Sequence, residues 1–196
     1  MFSFWASSAI QATNSSVSGL GINTFLSTKV SFANEMYQIC EGLDIDFDKV
    51  IENVPVLDIP HHMELNELLE KLSISFAPQI NIEKKTLYEL FSKREKDSST
   101  VLLPHVAIPH IVIEDKSCFD MVLVRCNKGI YFSEENQNVT SVIALAGSKD
   151  KRNLHLKALA AIAQVIQDKD FDESWTKART ADNLRDIFLL STRRRS

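Results

Sequence analysis

The chain has 196 residues, 44% of them hydrophobic, and 22 basic against 26 acidic side chains give a formal net charge of −4. That length admits one large domain, or a domain of about 130 residues with an appended segment, and the apolar share is enough for a real core. The weak negative charge excludes a global basic field that would recruit nucleic acid.

Residues 1–21 read as an apolar, Ser-rich lead-in without a positively charged leader. No run approaches the ~20 apolar residues that span a bilayer, so no direct membrane insertion is expected. Over 23–40, Phe25, Val30, Phe32, Ala33, Met36, Tyr37 and Cys40 form an apolar stripe at helical spacing, with Gly42 as its stop. Residues 44–50 open acidic and read as a short helix. The stretch 53–62, carrying Pro55 and Pro60, reads as a linker, and divides an N-terminal helical extension (1–58) from a domain over 59–196.

From His62 a helix is expected, with Leu65, Leu68, Leu69, Leu72 and Phe76 at i, i+3, i+4, i+7 spacing and Pro78 as its end. Asn81 is the expected cap of the next helix, which buries Leu87, Leu90 and Phe91 and turns Glu83, Lys84, Lys85 and Glu89 to water. Strands are predicted at 106–108, 119–125 and 139–145, each rich in Val, Ile, Leu or Phe. A helix follows over 154–166, with Leu154, Ala158, Ala161, Ile162 and Val165 on one face. Two shorter helices are predicted at 171–178 and 182–190, the last opening at Ala181-Asp182, and Arg193-Arg194-Arg195 make a solvated basic tail. Helices, then strands, then helices predict an α/β (α+β) fold, a sheet with helices on its faces. Cys40, Cys118 and Cys126 are odd in number and lack CxxC spacing, which fits reduced thiols in a cytoplasmic protein.

The chemistry concentrates in Leu102-Leu103-Pro104-His105-Val106-Ala107-Ile108-Pro109-His110. Proline fixes its own φ and lacks an N–H, so Pro109 is expected to stop a strand and hold His110 where the chain leaves the sheet. An imidazole there can act as a nucleophile or a ligand. Upstream, Lys93-Arg94-Glu95-Lys96-Asp97-Ser98-Ser99-Thr100 offers a guanidinium and hydroxyls; downstream, Gly147-Ser148-Lys149-Asp150-Lys151-Arg152-Asn153-Leu154-His155 brings a second histidine to a helix start. A phosphoryl-carrying histidine needs one free ring nitrogen, an acceptor that fixes the other, and donors for the phosphoryl oxygens. His110 is the candidate nucleophile. Arg94 matches phosphate as a fork of donors, His155 can donate from a helix start that also favours anions, and Ser99 and Thr100 can add hydroxyls. A metal site built from His105, His110 and His155 is the alternative chemistry.

The ordered set Arg94-Glu95, Ser99-Thr100, Ala107-Ile108-Pro109-His110 and Leu154-His155 resembles the enzyme IIA family of the bacterial phosphoenolpyruvate:sugar phosphotransferase system, of the mannitol/fructose and nitrogen-regulatory type, over roughly residues 62–192. The resemblance implies a mixed sheet flanked by helices on both faces and no organic cofactor. It carries His110 over as the phosphorylated histidine, His155 as the second active-site histidine and Arg94 as the arginine of the Arg-Glu pair. It also implies a donor of the HPr kind, and a IIB domain or a regulated transporter as the next partner. Where the family has glycines between Ser-Thr and Ala-Ile-Pro-His, this chain has Val101 to His105, a stiffer segment. That departure leaves open a second class of function, a non-catalytic regulatory module on the same fold.

Residues 23–51, from Asn23-Thr24-Phe25-Leu26 through Asn34-Glu35 to Cys40-Glu41-Gly42-Leu43-Asp44-Ile45-Asp46, are similar to the central dimerisation helix of UDP-glucose dehydrogenase-type enzymes. The glycine fingerprint for a dinucleotide is absent, as is the catalytic cysteine in its Gly-containing loop. The segment is therefore expected to pack, on the 62–192 domain or against a second copy in a homodimer, and to do no chemistry.

Overall fold

A computed structural model describes residues 47–114 and 117–193. The lead-in over 1–21, the helix over 23–40 with its stop at Gly42, Cys40, and Arg194 and Arg195 of the basic tail lie outside the described residues.

The first element, α1 (Phe47–Glu52), runs two residues past the expected helix and places Ile51 and, just beyond it, Val54 in the core. The expected linker over 53–62 is a correction. Its middle is a strand, β1 (Val56–Ile59), paired in parallel with β6 (Phe119–Tyr131) from Val56↔Leu123 to Ile59↔Cys126. Pro55 and Pro60 stand on either side of that strand, because a residue without an N–H is tolerated where a ladder begins or ends. The boundary drawn between 58 and 59 falls inside β1.

Next come a two-residue strand, β2 (Met63–Glu64), also on β6, and then α2 (Leu65–Ile80). Leu68, Leu69, Leu72, Phe76 and Ile80 form its buried stripe. Pro78 does not end this helix: it lies in the last turn, and Phe76 and Ile80 on either side of it are held in the core. The stop is Asn81, which adopts the left-handed conformation (φ 52°, ψ 49°) as C-cap and donates its N–H to the Ala77 carbonyl. Asn81 therefore closes α2 and does not cap α3 (Lys84–Asp97), whose N-cap Glu83 makes no side-chain cap bond. Leu87 and Phe91 of α3 are buried, and Phe91 meets Phe76 with ring centroids 5.7 Å apart.

The remaining strands are β3 (Val101–Leu103), β4 (Val106–Ala107), β5 (His110–Ile113) and β7 (Val139–Ser148). The seven-stranded sheet runs β1-β6-β7-β4-β3, with β2 pairing further along β6 and β5 further along β7. The long β6 and β7 are antiparallel at its centre; β4 and β5 join β7 in parallel, and β3 folds back on β4 as an antiparallel hairpin.

Three helices close the chain: α4 (Arg152–Val165), α5 (Phe171–Lys177) and α6 (Ala181–Arg193). Thr180 caps α6 by accepting the Asn183 N–H at 3.1 Å, one residue ahead of the expected start. Alternation along the central strands splits the core. Val122, Val124, Val142 and Ala144 face α2 and α3, whereas Met121, Leu123, Ile143 and Leu145 face α1, α4, α5 and α6. The sheet is thus mixed and covered by helices on both faces, as expected. Among the described residues no helix is long and apolar enough to cross a membrane. Cys126 is buried and its thiol is pushed up by that burial, while Cys118 is half-buried; neither forms a disulfide.

One charge sits inside the second core. Arg125, 5% exposed, donates through Nε (3.0 Å) and Nη2 to the Asp58 carboxylate and through Nη1 to the carbonyls of Trp175 (3.2 Å) and Ala178. It ties β1, β6 and the end of α5 together. Removing one partner of a buried pair is costly because the remaining polar groups lose their partner without regaining water. Arg125→Ala should cost about 3 kcal/mol, the low end for such a change because Asp58 can rehydrate. Urea denaturation reads this directly, and an unchanged midpoint would reject it.

Candidate functional site

Strand β4 ends at Ala107, and β5 begins at His110. Both keep the same parallel register on β7, Ala107↔Val142 and His110↔Leu145, and the Pro109 carbonyl between them accepts the Leu145 N–H at 2.9 Å. Contrary to the expectation from Pro109, which does end β4, the chain therefore does not leave the sheet at His110. Proline breaks the ladder by one missing donor, and the strand resumes. His110 is the first residue after the break.

Its ring is held from both ends. Nδ1 lies 2.8 Å from the Ile108 carbonyl, which can only accept, so Nδ1 carries the proton and Nε2 keeps its lone pair. Arg94, near the end of α3, donates to that lone pair from Nε at 3.3 Å and from Nη2 at 3.1 Å. Its Nη1 is anchored on the Ser98 carbonyl at 2.7 Å. Burial lowers the guanidinium pKa from its ordinary value, against the opposing pull of Glu95 and Asp97; arginine stays protonated regardless.

His155 is the fourth residue of α4, 7% exposed. Its ring meets that of His110 edge-on, centroids 5.9 Å apart and planes at 71°, and that of Phe119 at 6.0 Å and 79°. Burial pulls its pKa down to about 4, so the imidazole is neutral at physiological pH. Its contribution to stability is therefore complete above the unfolded value near 6.5 and is lost as the pH falls through about 4. The total is roughly 3 kcal/mol. His155→Gln cannot titrate, so its urea midpoint should fall less than that of the unaltered protein between pH 7 and pH 4; equal losses would show that His155 is not the group responsible.

The expected trio of Arg94, His110 and His155 thus comes together. The hydroxyls do not join it in this geometry. Thr100 Oγ1 gives its proton to Glu95, whose carboxylate also accepts the Thr100 N–H at 3.0 and 3.2 Å. Ser99 is exposed, and its Oγ accepts the Val101 N–H at 3.3 Å. His105 lies on the turn of the β3–β4 hairpin, where its Nε2 is 2.6 Å from Asp172 of α5. The three-imidazole metal set does not assemble, and among the described residues no three His, Cys, Asp or Glu side chains gather as one. The glycine-poor segment is that same hairpin, with Leu102 and Leu103 packed against the second core.

Two residues escaped the sequence reading. Glu95 closes the turn from α3 into β3 through Thr100; the Arg-Glu pair pointed to it, but gave it no task. Gly147, beyond the predicted end of β7, lies under the His155 ring; a lone glycine in an apolar strand is the available signal.

Comparison with known proteins adds to this geometry. The family model described as phosphoenolpyruvate-dependent sugar phosphotransferase system, EIIA 2, matches residues 57–190. A second, described as UDP-glucose/GDP-mannose dehydrogenase family, central domain, matches residues 14–58. The chain is 27% identical over 125 residues to a nitrogen regulatory protein of Bradyrhizobium diazoefficiens, covering 63% of this chain and 82% of that one. It is 28% identical over 129 residues to a nitrogen regulatory protein of Klebsiella oxytoca, covering 65% and 80%. Among solved structures, nitrogen regulatory protein IIA-Ntr from Neisseria meningitidis superposes with a TM-score of 0.65 at 21% identity, over 72% of this chain and 98% of that one. The IIA mannitol structure from Escherichia coli gives 0.57 at 14% identity, over 74% and 99%. These two likenesses concern the fold.

Proposed function

The chain belongs to the EIIA 2 family of the phosphoenolpyruvate-dependent sugar phosphotransferase system, and on that premise we propose that it carries its phosphoryl group on Nε2 of His110. A phosphocarrier role in that system comes with the family. The observation that carries the assignment to one atom is the fixed tautomer: the Ile108 carbonyl holds the proton on Nδ1, and the remaining lone pair is on Nε2.

In the proposed step the Nε2 lone pair forms a bond to phosphorus. The bond from phosphorus to the donor's nitrogen breaks, and its electron pair returns to the donor imidazole. Nδ1 keeps its proton on Ile108 throughout. Arg94 now occupies the lone pair that must attack. Its Nε and Nη2 therefore have to shift to the phosphoryl oxygens, while Nη1 can keep its anchor on Ser98. Little covalent work falls to the protein in such a transfer; positioning and charge stabilisation dominate. Glu95 supports Arg94 indirectly, by holding the turn that carries Ser98 and Thr100. His155, neutral and edge-on to His110, is placed to donate from one ring nitrogen.

The donor in this reading is a phosphohistidine carrier of the HPr kind, in the cytoplasm, and the acceptor is a IIB domain or a protein that senses the phosphorylated state. Similarity to nitrogen regulatory proteins supports the sensing branch. The intact grouping of His110, Arg94 and His155 favours a phosphorylated protein over a module that has lost the chemistry. Incubation with phosphoenolpyruvate, enzyme I and HPr, followed by ¹⁵N NMR of the imidazoles, tests the atom: phosphorus on Nε2 with Nδ1–H retained is expected. A product on Nδ1 would overturn the assignment.

A further inference from the structure

We infer that Gly147 is a positioning residue for the phosphoryl site: its missing side chain is the space in which the His155 imidazole stands. The inference rests on the phosphocarrier reading of His110.

Gly147 pairs with Phe119 of β6 on one side and with Val112 of β5, two residues beyond His110, on the other. It is a strand residue whose φ lies outside the left-handed region, unlike Gly129 at φ 82°. The backbone therefore does not require glycine here. The surroundings do. A Cβ at this position would stand 2.9 Å from His155 Nδ1 and 3.1 Å from Phe119 Cδ2. His155 Nδ1 is a ring atom close to the helix α4 backbone, so it cannot swing aside as the tip of a long side chain would.

The backbone of Gly147, the edge of Phe119 and the edge of His110 thus hold the His155 ring from three sides. The arrangement is fastened at the end of β7. The Ser148 N–H donates to the Cys118 carbonyl at 2.8 Å, and Ser148 Oγ accepts the Cys118 N–H at 2.9 Å. That clasp keeps Gly147 opposite Phe119. Any side chain at 147 therefore moves His155 relative to His110 and leaves the nucleophile's own contacts to Ile108 and Arg94 in place. Displacement of a catalytic group by about 1 Å costs up to about 10²-fold in rate.

The test is a double-mutant cycle on the full chain, with phosphoenolpyruvate, enzyme I and HPr as the phosphoryl source. Gly147→Ala should accept phosphoryl about 10- to 10²-fold more slowly, and Gly147→Ala combined with His155→Ala should be no slower than His155→Ala alone. Such non-additivity marks a residue that acts through His155; a general structural defect would multiply with it. Imidazole NMR should show the His155 signals of Gly147→Ala displaced and those of His110 nearly unmoved. If Gly147→Ala does not fold, Phe119→Leu, which removes a second wall without adding bulk, is expected to show the same dependence on His155. Wild-type rates in the variant, or equal slowing with and without His155, would overturn the inference. If even the unaltered protein takes up no phosphoryl at His110, the phosphocarrier reading fails, and the His155 signals alone then decide the positioning.

Discussion

His110→Ala should take up no acid-labile phosphate at all. His110 is the ring whose tautomer is fixed by a backbone carbonyl while its other nitrogen faces a guanidinium. His155 cannot take over. It is only 7% exposed and keeps its contact with Phe119 when the His110 ring is gone, while the guanidinium that would meet the phosphoryl oxygens is aimed at position 110. His105 is engaged with Asp172 on α5. Mass spectrometry under alkaline conditions, after incubation with phosphoenolpyruvate, enzyme I and HPr, gives a yes-or-no answer. Full labelling of the alanine variant would place the acceptor elsewhere and dismiss the proposed site.

Arg94→Ala should fold and still be labelled, but about 10²–10³-fold more slowly, the usual cost of removing one charge-assisted donor from a site of developing charge. Two effects oppose each other in this variant. Losing the guanidinium frees the Nε2 lone pair, which helps attack; it also removes the cation that meets the incoming phosphoryl oxygens. The second wins, because transfer of a phosphoryl group depends mainly on stabilising charge and little on nucleophile strength. Arg94→Lys should recover only part of the rate. An ammonium is a point charge without the fork that lets one side chain hold Ser98 and serve His110 together. Single-turnover labelling separates these outcomes, and a wild-type rate in Arg94→Ala would rule out its role.

Where local pattern decided structure, the chain was readable. The stripe Leu68, Leu69, Leu72, Phe76 and the apolar face of α4 repeat at helical spacing, and both became helices at nearly the expected bounds. β1 was hidden because it has four residues and an acid among them. Asp58 makes sense only beside Arg125, 67 residues further on, and no local period announces that pair. The reading of Pro78 as a stop, and of Pro109 as the point where the chain leaves the sheet, failed for one reason. A proline removes a single donor, and packing on either side, of Phe76 and Ile80 in one case and of the β7 register in the other, carried the element through. At the site, the trio Arg94, His110 and His155 was legible from residue order. The commitment of Thr100 to Glu95 was not, since any loop threonine looks free until its neighbours are placed.

The strand order also governs when the site can exist during synthesis. Every pairing of β1 and β2 is with β6, and the strand that carries His110 pairs with β7. Apart from the small β3–β4 hairpin, then, nothing in the sheet has a partner until residues beyond 119 have left the ribosome. The α2–α3 hairpin can form early, its contacts being near in sequence, but its apolar stripe waits uncovered for the sheet. Nor does His110 acquire its strand ladder before residue 148 is added, nor its companion His155 before α4. A chain arrested or nicked ahead of β7 therefore holds the nucleophile, its arginine and its carbonyl anchor within a single fragment, and has no scaffold on which to arrange them. Among the described residues, the strands ahead of 119 thus depend on β6 and β7 for their order, and such non-local topologies are slow to fold and exposed while they wait.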